Sequence, residues 1–245
     1  MKLLLINPNT SGAMTESIAR VARSVALPGT EVLAVHPSFG PASIECQYDE
    51  AFAAAGVAEQ VRRAEAWRPD AIVLACFGDP GLDAAREASG LPVIGVAEAA
   101  FHAASLVATS FSVVTTLTRT CITAERLLHR YGFERLCRGV HGTDIPVLDL
   151  EEPSEPLVQR IEQAARAALA KDRSGAIVLG CAGMATLCAE LSARLQVPVI
   201  DGVSVAVKLA ESLVSLGLST SRLGDYASPP AKPYSGWASD LGWQP

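Results

Sequence analysis

The chain has 245 residues, 49% of them hydrophobic and 19% charged, with a mean hydropathy of +0.27. That is enough to bury a sizeable core, as one large domain or two small ones. A net charge of −6 and a pI near 5.3 exclude the basic footprint of a nucleic-acid or anionic-membrane partner, and apolar runs no longer than residues 71–77 exclude a bilayer-spanning helix.

The opening MKLLLINPNTSG has too short an apolar stretch for an export leader and reads as a first strand, residues 3–6. It runs into the polar turn Asn7-Pro8-Asn9-Thr10-Ser11, which opens a helical pattern at 14–24. A second strand is expected at 31–35, then a long loop holding Pro41-Ala42-Ser43-Ile44-Glu45, where functional segments concentrate. A helical pattern at 51–67 leads to a strand at 71–75 that ends on Cys76. Asp79-Pro80 follows, a pair suited to the N-cap and first position of a helix. A strand is expected at 93–96 and another at 111–115, the latter ending in Thr115-Thr116 with Arg119 close behind. Helices at 120–130 and 157–170 flank a weaker strand near 138–141. Strands at 177–180, ending on Cys181, and at 197–200 complete the pattern. The tail 217–245 turns rich in Pro, Ser and Trp and reads as an ordered strap or an oligomer contact.

Two stretches repeat. DAIVLACFGDPGL followed by LPVIGVAEAAFHAA (70–104) matches SGAIVLGCAGMATL followed by VPVIDGVSVAVKLA (174–210), with Cys76 and Cys181 in the same place. Near-continuous apolar strands alternating with helices indicate parallel sheets covered on both faces. The expected fold class is therefore α/β: two Rossmann-like lobes, each with a parallel four-stranded sheet, related by a pseudo-twofold axis, with the site in the cleft between them. Residues 1–105 form the first lobe, which the carboxyl end of the chain re-joins, 106–216 the second, and 217–245 the strap. Right-handed crossovers put the strand carboxyl ends on one edge, where open α/β sheets bind ligands.

One buried cysteine is most often a small apolar core thiol. Two at equivalent strand ends point instead to a cleft with a thiol on each wall, the arrangement needed to move a proton from one face of a carbon to the other. A helix amino terminus after each cysteine would favour the thiolate and lower its pKa. The six cysteines, at 46, 76, 121, 137, 181 and 188, show no CxxC pair and no histidine at ligand spacing, so they read as free thiols of a reducing cytoplasm, with no zinc site. Glu45 and Glu98 are candidate acid/base groups whose simpler reading is a solvated carboxylate. His36, His102, His129 and His141 have no obvious partners. There is no Gly-rich phosphate loop and no GxSxG elbow.

INPNTS, GPASIE, ACFGDPGL, FSVVTTL, IVLGCAGM and VPVIDGV, in this order from Lys2 to about Tyr234, together resemble the hydantoin racemase branch of the aspartate/glutamate racemase superfamily. Gly78 in CFGDPG, the GVAEAAFHAAS stretch and TTLTRTC resemble the allantoin racemases within it. The resemblance implies a two-cysteine, cofactor-free mechanism with Cys76 and Cys181 as the catalytic pair. Two departures stand out: Cys46 occupies a position where such relatives usually carry glycine, and the Asn-Thr and Thr-His that follow the cysteines of amino-acid racemases are replaced by Phe77-Gly78 and Ala182-Gly183.

The expected partner is a small molecule, with no nucleic acid, membrane, metal or organic cofactor, and the chain is expected to form a homo-oligomer. Asn9, Ser43, Ile44, Phe77, Gly78, Thr115, Thr116, Ala182 and Gly183 are the expected substrate-binding residues. Phe77 is an apolar wall for a planar ring, and the amides after each cysteine are donors to a developing oxyanion. The rival readings are a racemase of other 5-substituted hydantoins, a related isomerase or decarboxylase, and a non-catalytic binding protein of two α/β lobes. The last two do not require matched thiols.

Overall fold

The computed structural model describes residues 1–242, so the last three residues of the strap lie outside the described residues. Two parallel four-stranded sheets form. The first holds β1 (Lys2–Ile6), β2 (Glu31–Val35), β3 (Ala71–Leu74) and β4 (Val93–Gly95) in the order β2-β1-β3-β4. The second holds β5 (Phe111–Thr115), β6 (Cys137–Gly142), β7 (Ala176–Leu179) and β8 (Val199–Asp201) in the order β6-β5-β7-β8. The central strands β3, β5 and β7 are buried along their whole length, while β2 and β6 at the edges are half-covered. That is why the central strands read as unbroken apolar runs and the edge strand β6, with an exposed Arg138 and two glycines, reads weakly.

The helices are α1 (Gly12–Val25), α2 (Gln47–Ala64), α3 (Leu82–Ser89), α4 (Val96–Val107), α5 (Cys121–Tyr131), α6 (Glu155–Asp172), α7 (Cys188–Leu195) and α8 (Gly202–Ser215). Ser11 caps α1, its Oγ accepting from the Met14 amide at 3.0 Å. In the second repeat Asp201 caps α8 in the same local way, accepting from the Ser204 amide at 2.7 Å.

The helices that leave β4 and β8 do not stay with their own sheets. α4 packs against β7 and β8, and α8 packs against β3, β4 and α1. One core cluster accordingly joins Leu3, Leu5 and Val73 of the first sheet to Val203, Val207 and Ala210 of α8, and another joins Ala97, Phe101 and Ala104 of α4 to Val113 and Val178 of the second sheet. The two exchanged helices touch at their starts. A Cβ placed on Gly202 would lie 2.1 Å from the Val96 carbonyl oxygen, a backbone atom that has no rotamer to yield. Gly202→Ala is therefore expected to lower stability by about 2–3 kcal/mol, the usual cost of forcing volume into a packed contact; a urea midpoint unchanged from wild type would refute the tight crossing.

The tail runs back over the first sheet's side. The Thr220 amide donates to the Gly90 carbonyl at 3.1 Å, the Arg222 guanidinium to the Glu87 carbonyl at 2.7 Å, and the Tyr226 hydroxyl to Asp83 at 2.9 Å. Trp237 meets Phe39 edge-on, ring centres 4.9 Å apart. Among the described residues no helix is long and apolar enough to cross a membrane.

Candidate active site

In each sheet the strand order reverses direction between the first strand and its inner neighbour, β1 against β3 and β5 against β7. Such a switch point leaves a crevice at the strand carboxyl ends. The two crevices face each other across one cleft. The first contributes Asn7 and Asn9 after β1 with Ala75, Cys76, Phe77 and Gly78 after β3. The second contributes Thr115 and Thr116 after β5 with Gly180, Cys181, Ala182 and Gly183 after β7. The cleft is narrow, about 60 Å³ in volume.

Each polar turn is held by its own network. Asn7 Nδ2 donates to Asn9 Oδ1 at 2.7 Å and to Thr15 Oγ1 at 2.9 Å, and the Ser11 amide donates to the same Asn9 oxygen at 2.9 Å. That leaves the side-chain Nδ2 of Asn9 without a hydrogen-bond partner among the described residues, a donor held at the cleft edge. Thr115 donates its hydroxyl to the Gly180 carbonyl at 2.8 Å, tying β5 to the residue before Cys181. The approach is so close that a Cβ on Gly180 would lie 2.6 Å from the Thr115 Cβ.

Of the residues expected from the sequence, Asn9, Ile44, Cys76, Phe77, Gly78, Thr115, Thr116, Cys181, Ala182 and Gly183 line this one cleft. Ser43 does not. The chain bends at Ala42-Ser43, after which alternate residues face inward: Ile44 and Cys46 line the cleft, while Glu45 between them accepts from the Val147 amide on the opposite lobe at 2.9 Å. Arg119 is exposed and is not part of the lining. Glu98 pairs with Arg86, and His141 has a partner after all, Asp172 at 2.6 Å. The lining residues that sequence reasoning missed include Met14, Ile18, Glu50, Thr120, Thr123 and Val147. They come from α1, α2, the start of α5 and a 3-10 turn, all outside the repeated motifs.

The Asp/Glu/hydantoin racemase family model matches residues 3–210. The chain belongs to that family. The hydantoin racemase of Pseudomonas sp. (strain NS671) is 44% identical over 99% of this chain and 97% of its own length. Among solved structures, the allantoin racemase from Klebsiella pneumoniae superposes with a TM-score of 0.96 at 56% identity, covering 99% of both chains. The allantoin racemase from Pseudomonas fluorescens superposes at 0.93 with 40% identity, covering 96% of this chain and 100% of that one.

The electrostatics of this racemase run against the expectation of low-pKa thiols. Burial pushes Cys76 far up, helped by the Cys181, Asp79 and Glu50 charges, and pushes Cys181 up to about 11. No α-helix starts at either cysteine: a 3-10 turn, Ala182–Leu187, follows Cys181, and α3 begins only at Leu82. What opposes burial is local. The nearby Gly78 amide pulls the Cys76 thiol back down, and the Gly183 and Met184 amides do so for Cys181, while the Met184 amide donates to the Cys181 carbonyl at 3.0 Å. Donors beside a sulfur favour its thiolate form.

Asp79 departs from its expected place too. It does not start a helix; Gly81 is the N-cap residue of α3, in the left-handed region, and Asp79 itself sits at φ 44°. Its buried carboxylate reaches α4 instead, accepting from the Ala97 amide at 3.2 Å, the Glu98 amide at 3.1 Å and the Tyr131 hydroxyl at 3.0 Å. A buried carboxylate needs several donors, and three distant ones outcompete the local turn. The Cys76 loop is thereby pinned to α4, which packs on the other sheet.

Proposed function

We propose that this racemase interconverts the enantiomers of allantoin, 5-ureidohydantoin, by proton transfer at C5 between Cys76 and Cys181, without metal or organic cofactor. The observation that carries the mechanism is the placement of the two thiols at equivalent switch points lining one narrow cleft. C5 of a hydantoin is flanked by a carbonyl and a ring nitrogen, so loss of its proton gives an enolate-like anion. One sulfur, as thiolate, removes the proton from one face; the opposite thiol delivers its own to the other face. The roles reverse with the handedness of the substrate. The uncharged neighbours Phe77, Gly78, Ala182 and Gly183 suit a neutral planar ring better than a zwitterionic amino acid. The thiols must stay reduced, a requirement that suits a reducing, cytoplasm-like compartment.

Support for allantoin comes from the likeness to proteins described as allantoin racemases and from the polar turns around the cleft. The second reading, a racemase of other 5-substituted hydantoins, is favoured by the 44% identity to a protein described as a hydantoin racemase. A polarimetric comparison decides between them. A bulky apolar 5-substituent leaves the cleft's polar groups unpaired, at about 1–3 kcal/mol each, so kcat/KM is expected to be about tenfold or more higher for allantoin than for 5-benzylhydantoin. Faster turnover of 5-benzyl- or 5-isopropylhydantoin, after correction for spontaneous racemisation, would transfer the assignment to the second reading.

A further inference from the structure

Glu50 stands in the first turn of α2 beside Asp49, a place where carboxylates ordinarily face water. Here it is half-buried and lines the cleft. Thr123 Oγ1, on α5 of the opposite lobe, donates to its Oε1 at 3.1 Å. On the other side is Gly78, where a Cβ would lie 3.1 Å from the same oxygen. Oε2 accepts no hydrogen bond among the described residues. Burial raises the pKa of the group, while the Thr123 bond and the Arg126 charge hold it down. A partly desolvated carboxylate with one oxygen that takes no donor from the protein is an acceptor open to a ligand's N–H.

Glu50 also breaks the pseudo-twofold. Cys76 answers to Cys181, and the Asn7–Asn9 turn to Thr115–Thr116; α6, which follows β6 as α2 follows β2, sends no residue into the cleft. A group present on one side alone has no part in a reaction that treats both faces of C5 alike, but it suits recognition of a feature the substrate carries once.

We infer that Glu50 is the specificity residue of the cleft, its carboxylate accepting from N–H groups on the C5 substituent, so that the substrate class is a hydantoin with a ureido-type, donor-bearing side group. The inference rests on the hydantoin reading of the site. A ureido group offers three N–H donors, and a 5-alkyl group offers none.

The test compares kcat/KM for enantiopure allantoin and 5-methylhydantoin in wild type, Glu50→Gln and Glu50→Asp. Gln retains an acceptor for Thr123 but turns an N–H₂ toward the substrate's donors. The ratio of allantoin to 5-methylhydantoin is expected to fall about tenfold or more in Glu50→Gln, the scale of one charge-assisted hydrogen bond, with partial recovery in Glu50→Asp. Thr123→Val, which frees the carboxylate to swing, is expected to move the ratio in the same direction by less, and serves if Glu50→Gln does not fold. Equal losses on both substrates, or an unchanged ratio in a wild type that prefers allantoin, would overturn the role of Glu50 alone. A wild type that prefers 5-methylhydantoin would overturn the allantoin reading itself.

Discussion

Cys76→Ser and Cys181→Ser are each expected to lower racemisation by about 10²–10⁴-fold, the range of a lost acid or base, while each variant still exchanges the C5 proton of one enantiomer with solvent. The reason is the division of labour. A serine hydroxyl is a far weaker acid than even a buried thiol, so the face it serves falls silent, but the remaining thiolate still removes and returns a proton on its own face. Incubation in D₂O separates the two events: deuterium enters at C5 without loss of optical rotation, from opposite enantiomers in the two variants. Full racemisation by either single variant above the spontaneous rate would sink the two-base mechanism. The raised thiols add a pH signature. With Cys181 near 11 and Cys76 higher still, both are protonated in the free enzyme at neutral pH and one proton must leave before turnover. kcat/KM is therefore expected to rise with pH from neutrality up toward the Cys181 value rather than to plateau near pH 7. A thiolate already formed at pH 6 would give a flat profile and refute this.

Asp79→Ala is expected to be the most damaging substitution for stability, by about 3 kcal/mol or more, lowering the thermal midpoint by about 10 °C. It strands the Ala97 and Glu98 amides and the Tyr131 hydroxyl in the interior and leaves alanine at φ 44°, a backbone region that asparagine and aspartate tolerate better. The pH dependence has a definite sign. Burial raises Asp79 from 3.8 to about 7 against the pull of its three donors. Between those values the folded chain holds a proton that the unfolded chain releases, so this contribution is fully present below about pH 4 and is lost as pH rises through about 7. Urea midpoints measured at pH 5 and pH 8 for wild type and Asp79→Asn test it. The variant is expected to remove a fall in stability that wild type shows across this window; parallel slopes in the two proteins would mean that Asp79 is not the titrating group.

The strands were legible because each central one is a short apolar run bounded by Gly, Pro or polar residues, and those runs are buried on both faces. The cysteines were legible because the sequence writes the same strand-Cys-Pro-Val-Ile pattern twice. Asp79 was misread because Asp-Pro carries a strong local helix-start signal, whereas its real partners lie 18, 19 and 52 residues away. Ser43 and Ile44 were expected together because the sequence marks the loop and not its faces; after the bend at Ala42-Ser43 it is Ile44 and Cys46 that line the cleft, and Ser43 does not. Glu50 was invisible for another reason. Beside Asp49 in the first turn of an Ala-rich helix it looks like any solvated carboxylate, and only the hydrogen bond from Thr123 of α5 ties it to the cleft.

The exchanged helices α4 and α8 bear on how a ligand gets in. Swinging the two sheets apart would pull α8 off β3 and β4 and α4 off β7 and β8, exposing buried alanines and valines from both cores. Jaws that hold each other's teeth do not gape, so the walls are expected to keep one separation as a ligand enters and leaves. The segment between β2 and α2 closes the cleft from one side, its Pro41 carbonyl accepting from Thr10, its Glu45 carboxylate from the Val147 amide, and its Phe39 meeting Trp237 edge-on. Entry of a ligand is therefore expected to leave the spacing of the two sulfurs undisturbed.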